Sequence, residues 1–124
     1  IAMMMDMIKG DLAALNIKEN VDATVEKCLF RDNEVCFRLR GPTSRGGAHV
    51  TIRDCALYDS AVGVRMEDKI RDLKIDRLGF GAAVLRKYHI VGGGQLPGYE
   101  NRGEYEAPPL EGLLKNGLPG PPSR

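Results

Sequence analysis

The chain has no tryptophan and only seven aromatic residues among its 124, too few for the stacking platforms that bind single-stranded nucleic acids. Its net charge of +1 also lacks the basic excess of a general nucleic-acid-binding protein. Three cysteines without a CxxC pair and two separated histidines do not make a zinc-binding pattern. No apolar run is long enough to cross a membrane. We therefore expect neither nucleic-acid binding nor membrane insertion.

What the chain does have is a repeat. Residues 23–40 reappear without a gap, 27 positions later, as residues 50–67. A self-match at a fixed period in the twenties is typical of stacked structural repeats. Five positions are identical in the two copies: Thr24/Thr51, Cys28/Cys55, Asp32/Asp59, Val35/Val62 and Arg38/Arg65.

Within each copy the apolar residues alternate with others, as Val35, Phe37 and Leu39 do, which is the period of a half-buried strand. Polar pairs separate these short segments, so each copy predicts about three strands with tight corners, one coil of a parallel β-helix. A degraded third copy follows: residues 73–80 mimic 50–57, and residues 83–86 resemble 62–65 after a shorter turn. We predict an all-β fold, a short solenoid of three to four coils.

Charged residues support stacking in this register. Three pairs reverse sign between the two copies, as neighbouring strands favour: Glu26/Arg53, Lys27/Asp54 and Arg40/Glu67. A slip of one residue would lose all three pairs and turn the apolar set outward.

The domain organisation follows from composition. Residues 1–94 are predicted to form the coils, with 1–20 either a first coil carrying a bulged loop or a cap. Six of the seven prolines lie beyond Gln95, so 95–124 predicts an extended tail rather than another coil. Within it, residues 109–117 predict a short helix whose leucines cover the open C-terminal coil. A chain that begins at Ile1 suggests a processed or excised piece of a longer protein, or a short protein that assembles end-on.

The cysteines are interpreted by their position in the repeat. Cys28 and Cys55 predict an internal ladder of small apolar side chains, with a disulfide between the coils as the alternative. Cys36 falls at an outward position and predicts a free thiol. Asp32 and Asp59 are interpreted as turn-forming residues.

Arginines stand in an outward column. Arg38, Arg65 and Arg86 would place like charges on successive coils, which destabilises a sheet, so the column suggests a functional role in recognising anions. The arginine fork suits carboxylates or sulfates spaced along a polymer. The alternative is an ordinary solvated surface neutralised by the nearby carboxylates of Glu34, Glu67 and Asp68.

Two short segments carry further groups of chemical interest. In residues 65–69, Glu67 and Asp68 could supply oxygen ligands to Ca²⁺, although such a cluster is also typical of a polar turn. Lys87-Tyr88-His89 precedes a glycine run and suggests a substrate-side loop with His89 as proton carrier, or a structural histidine.

The repeats ATVEKCLFRDNEVCFRLRGP and VTIRDCALYDSAVGVRMED, followed by LKIDRLGFG, resemble right-handed parallel β-helix proteins of the pectate-lyase-like superfamily over about residues 15–90. The resemblance implies a secreted or cell-surface protein acting on acidic polysaccharides as a lyase, glycosidase or epimerase, often with Ca²⁺. The chain is far shorter than a complete enzyme of that type and has cysteines where an asparagine ladder is common.

The functional prediction is a carbohydrate-active β-helix protein, or a fragment of one, that binds an acidic polysaccharide and has the option of lyase-type cleavage. The residues assigned are Arg65, Lys87 and His89 as catalytic groups, Arg38, Arg40, Arg86 and Tyr88 as substrate-binding groups, and Glu67 and Asp68 as Ca²⁺ ligands. The alternative is a non-catalytic assembly module that packs end-on with further coils or subunits.

Overall fold

The structure, a computed structural model, describes residues 7–8, 13–18, 20–40, 47–67, 70, 72–91, 99–101 and 103–117. The strand pairs formed by these residues are parallel, and the chain winds into a β-solenoid of about three turns. The predicted fold class is confirmed. In chain order the elements are β1 Met7–Ile8, β2 Ala13–Ile17, β3 Asp22–Glu26, β4 Leu29–Arg31, β5 Val35–Leu39, β6 His49–Tyr58, β7 Ser60–Met66, β8 Asp72–Phe80, β9 Val84–Ile90, β10 Tyr99–Asn101, β11 Glu104–Glu106 and α1 Leu110–Asn116.

Three faces surround the interior. Face 1 consists of β3, β10 and the first halves of β6 and β8; face 2 consists of β1, β4, β11 and the second halves of β6 and β8. Face 3 is the separate four-stranded sheet β2-β5-β7-β9. Faces 1 and 2 form one sheet that bends at Lys27, Asp54 and Arg77, whose φ angles are 56°, 52° and 65°. These left-handed residues turn the chain without breaking β6 or β8.

The two copies of the repeat stack on each other so that paired residues lie 27 positions apart in the chain. Val35 lies opposite Val62 and Arg38 opposite Arg65, as predicted. Of the three predicted ion pairs, Glu26–Arg53 and Arg40–Glu67 are present, at 3.5 and 3.3 Å.

The third ion pair was predicted with the wrong partner. The Asp54 carboxylate pairs with the Arg77 guanidinium at 2.8 Å rather than with Lys27. Arg77 occupies the same corner on the following coil, so the carboxylate is paired toward the C-terminal end of the stack.

The interior is filled by inward-facing residues of all three faces. Burying an aliphatic or aromatic side chain is worth about 1.5–3 kcal/mol, so this continuous column is the main stabilising element. Its fully buried members include Phe30, Phe37, Leu39, Val50, Ile52, Leu57, Val64, Leu73, Ile75 and Leu78.

Cysteines also line the interior. Cys28 and Cys55 are buried on successive coils and neither forms a disulfide, which confirms the internal ladder. The outward position predicted for Cys36 is wrong, because Val35, Cys36 and Phe37 are consecutively buried and strict alternation fails there. Burial raises the pKa of the Cys36 thiol to about 11, even though Ser60 and Asn33 side chains bond to it.

The corner between faces 2 and 3 uses left-handed residues as well. Asp32 and Asp59 have φ angles of 57° and 46°, so their interpretation as turn residues is confirmed. On the third coil Ala83 takes this position, with φ 59°. That corner is one residue longer than its predecessor, not shorter as predicted, since Leu57 pairs with Phe80 whereas Ser60 pairs with Val84.

The longer corner shifts the register of β9. Arg86 lies opposite Val62, and it is His89 that lies opposite Arg65. The predicted continuation of the arginine column through Arg86 is therefore wrong.

Stacked strands extend toward both termini. β1 and β2 pair with β4 and β5, so residues within 1–20 contribute to a first coil, one of the two predicted options. β10 and β11 both pair with β8, although they lie in the 95–124 segment that was predicted not to form a coil.

Helix α1 lies where the sequence predicts it, between Pro109 and Gly117. Its leucines cover the outer side of face 2 rather than the open end of the stack: Leu113 is buried against Leu29 and Tyr58, whereas Leu114 is 58% exposed. The Tyr58 hydroxyl donates to the Pro108 carbonyl at 2.6 Å.

Two glycines allow tyrosine rings to lie flat on the outer side of face 2. A Cβ atom at Gly81 would come within 2.2 Å of the Tyr58 ring, and one at Gly79 within 2.5 Å of the Tyr105 ring. The helix and both rings thus occupy the outer surface of face 2, which leaves faces 1 and 3 as the candidates for a functional surface.

Candidate functional site

An outward row of polar residues crosses all four strands of face 3. Asn16, Arg38, Arg65 and His89 lie opposite one another on β2, β5, β7 and β9. Neighbouring strands are about 4.8 Å apart, so the row presents one polar group at each such step along the solenoid axis.

A second row runs beside the first, two residues further along the chain and directly after the end of each strand. It contains Lys18, Arg40, Glu67 and Val91, whose alignment follows from backbone hydrogen bonds of the last three to Ile17, Leu39 and Met66. Lys18 and Arg40 extend the cationic surface, and Glu67 is the acidic member of the two rows.

Three guanidinium groups converge on that one carboxylate. Glu67 Oε1 lies 3.3 Å from Arg38 Nε and 3.8 Å from Arg65 Nε, and Glu67 Oε2 lies 3.3 Å from Arg40 Nε. We call these four residues the arginine cluster. The Glu67 side chain is 21% exposed, whereas the arginine side chains are 29–43% exposed, so the arginines are more accessible to solvent than the carboxylate they surround.

The balance of charge distinguishes this surface. The two rows hold four cationic side chains, Lys18, Arg38, Arg40 and Arg65, against the single carboxylate of Glu67, a formal charge of +3 with His89 neutral. The whole chain carries only +1. The remainder of the molecule is therefore net acidic, and the positive charge is concentrated on face 3.

His89 ends the first row. Desolvation lowers the pKa of the His89 imidazole below its usual value of 6.5, and the positive charges of Arg86 and Arg65 lower it further. At neutral pH the imidazole is therefore neutral and able to accept a proton. Arg86 acts on His89 from the same strand, although it stands outside the row.

The remaining two members of the β9 segment face elsewhere. The Tyr88 ring packs edge-on against Phe80 with centroids 5.6 Å apart. Lys87 Nζ lies 5.2 Å from the Phe80 ring centroid and 3.5 Å from Glu104 Oε2. Both side chains thus contact Phe80 on the last coil, and neither takes part in the arginine cluster.

The predicted metal ligands separate in a similar way. Asp68 lies outside the described residues. Glu67 is surrounded by three guanidinium groups, an environment that disfavours a bound cation. In the part of the chain that the structure describes, no group of three or more His, Cys, Asp and Glu side chains is arranged to hold a metal ion.

The structure thus brings together Arg38, Arg40, Arg65 and Glu67, with His89 in line, and leaves Lys87, Tyr88 and Arg86 outside. Sequence reasoning missed Asn16 and Lys18. The feature that could have identified them is a spacing of 22 residues, which separates Asn16 from Arg38 and Lys18 from Arg40. This spacing is five residues shorter than the main 27-residue period.

The fold and site define a parallel β-solenoid with a cationic face. The chain matches no protein-family model, no curated protein and no solved structure. Among the described residues, no helix has both the length and the apolar character to span a membrane.

Proposed function

We propose that this protein binds an acidic polysaccharide along face 3, with its chain axis parallel to the solenoid axis. The observation that carries the proposal is the concentration of four cations against one carboxylate on a chain of net charge +1. A polymer with carboxylates or sulfates at intervals near 5 Å would meet one row position per charge. Arginine side chains suit this role because their planar fork pairs with such anions in two parallel hydrogen bonds.

The cost of the arrangement supports a role in binding. Arg38 and Arg65 lie directly opposite each other, and like charges in that position destabilise a sheet. Glu67 offsets part of the repulsion, but three guanidiniums share its two oxygens. An anionic ligand would supply the missing negative charge.

Retention on immobilised polygalacturonate tests the proposal. The double variant Arg38→Ala/Arg65→Ala removes two adjacent cations and is expected to bind at least about 10-fold more weakly, since charge-assisted hydrogen bonds are worth roughly twice neutral ones. The matched control is Arg31→Ala/Arg53→Ala, which removes the same charge from faces 2 and 1. Equal weakening of both doubles, with intact unfolding curves, would mean that only net charge matters and would refute a site on face 3.

We further propose that the protein cleaves the bound polysaccharide and that Arg65 and His89 carry out this reaction. In a β-elimination, Arg65 would neutralise the uronate carboxylate and the neutral His89 imidazole would take the adjacent C5 proton. The C4–O bond would then break, a C4–C5 double bond would form, and the leaving oxygen would require a proton from solvent. New ultraviolet absorbance from unsaturated products, lost in His89→Gln but not in His49→Gln, is the expected result. Wild-type protein that binds without producing this absorbance would limit the function to binding.

The exposed strand at the C-terminal end of the stack favours a second candidate function, assembly with further coils or subunits. Among the described residues β9 is the last strand of face 3, and Leu85 on it is 82% exposed. An assembly module would pack further coils or another subunit at this end. Sedimentation tests this: a concentration-dependent oligomer that Leu85→Ser dissociates supports assembly, and a monomer at all concentrations contradicts self-assembly. Arg86 and Lys87 weigh against strand pairing here, because charged edge strands resist it.

A further inference from the structure

Glu67 occupies the place that an external anion would take. Both carboxylate oxygens are engaged, one by Arg38 and Arg65 and the other by Arg40. The backbone N–H of Glu67 donates to the Leu39 carbonyl at 2.8 Å, so this carboxylate is held at the cluster by the sheet itself. Any ligand that pairs with these arginines must compete with a group already in position.

The competition depends on how many charges a ligand brings. A single ligand carboxylate offers the cluster the same chemistry as Glu67 and must also overcome the entropy cost of association, so replacing Glu67 gains little. A polymer with charges on consecutive units meets Lys18, the arginine cluster and the neighbouring row positions together. Once one charge is bound the others act at high effective concentration.

We infer that Glu67 is an internal competitor that makes face 3 selective for densely charged polymers over sparsely charged ones. This inference rests on the proposed function, because it specifies which acidic polysaccharides the same surface accepts. Glu67 is a specificity-determining residue here: it contacts the arginines that would bind the polymer and occupies the place at which an isolated anion would pair with them.

The opposite role would be purely structural. If Glu67 only neutralises the arginines for the sake of folding, its loss would lower stability and leave selectivity unchanged. The two roles therefore separate in a comparison of two ligands that differ in charge density alone.

The experiment measures the Kd of two polygalacturonate samples of equal length, one fully de-esterified and one highly methyl-esterified, by titration calorimetry. Glu67→Gln should bind the esterified sample about 10-fold more tightly than wild type and the de-esterified sample only about 2–3-fold more tightly. The matched control is Glu26→Gln, which removes an equally charged, 26% exposed side chain that pairs with one arginine on face 1. It should match wild type with both samples.

Glu67→Asp provides a second variant in case Glu67→Gln unfolds. It keeps the charge but withdraws the carboxylate by one methylene, so it should show a smaller gain in the same direction. An equal gain with both samples, or no gain, overturns the inference.

The proposed function fails in a different way. If wild-type protein binds neither sample, the proposed function is wrong. If wild type binds, binding depends on Arg38 and Arg65, and Glu67→Gln behaves as Glu26→Gln does, then only the role of Glu67 is wrong.

Discussion

Faces 1 and 3 use the same kinds of charged residue in opposite ways. On face 1, Arg53 lies between Glu26 and Asp76 and pairs with both, at 3.5 and 3.6 Å. On face 3, Arg65 lies between Arg38 and His89. Alternation of sign compensates the charges of face 1 and fixes register, whereas repetition of sign along the first row of face 3 leaves Arg38 and Arg65 to share Glu67 with Arg40. Charge that is paired strand by strand within the fold can thus be told apart from the charge for which we propose a ligand.

A second row of face 1 follows the same rule. His49 lies opposite Asp22 and Asp72, and its Nδ1 is 2.5 Å from Asp72 Oδ2. Acidic, basic and acidic side chains therefore succeed one another on three consecutive strands. No comparable alternation occurs along the first row of face 3, where Asn16, Arg38, Arg65 and His89 include no carboxylate.

The largest effect is expected from charge reversal at equivalent positions. Arg53→Glu removes two ion pairs and places three carboxylates in a row, so the free energy of unfolding should fall by about 1–2 kcal/mol. Arg65→Glu places a carboxylate opposite Arg38, so unfolding should change by less than about 0.5 kcal/mol while polygalacturonate retention is lost. Urea unfolding and column retention measure the two effects. Similar destabilisation by both variants would remove the distinction between the faces.

Raising the salt concentration should weaken polyanion binding to face 3 while changing the stability of the fold only slightly. The screening length falls from about 10 Å at 0.1 M to about 3 Å at 1 M, so attraction between face 3 and a polyanion should weaken at least about 10-fold over this range. Stability should change by only tenths of a kcal/mol, because exposed ion pairs contribute little. Retention that persists at 1 M salt would show that binding is not ionic.

The smallest effect concerns the protonation of His89. Its folded-state pKa lies below 6.5, so its contribution to stability is present above pH 6.5 and is lost as the pH falls through that lowered pKa. The same protonation adds a cation to face 3, so polyanion binding should increase over that pH interval. An NMR titration, with the resonance assigned by His49→Gln, should give a midpoint below 6.5 that rises in Arg65→Ala. A midpoint at or above 6.5 would contradict the described surroundings of His89.

The fold was predictable from the sequence to the extent that the copies repeat. Alternation and sign reversal placed Val35 on Val62 and Arg40 on Glu67 because both copies have the same length. The third coil was aligned correctly along β8, where Leu73 meets Val50. It was misaligned along β9 because Ala83 adopts the left-handed corner conformation without being a typical turn residue.

The site was predictable only in part for related reasons. Arg38, Arg65 and Glu67 were found because they lie within the repeat itself. The convergence of three guanidiniums on Glu67 depends on side-chain reach, which a sequence pattern does not contain. The burial of Cys36 does not follow from the sequence pattern, because the alternation of buried and exposed residues breaks within β5.

The corners between faces 3 and 1 vary in length from coil to coil more than the other corners do. Between faces 3 and 1, four residues separate β2 from β3, nine separate β5 from β6, five separate β7 from β8 and eight separate β9 from β10. That seam begins directly after the strands that carry the first row, and its opening residues form the second row. Insertions and deletions there would change the loops beside the two polar rows while the paired strands of face 3 kept their register, so the surroundings of these rows can vary without altering the coil stack.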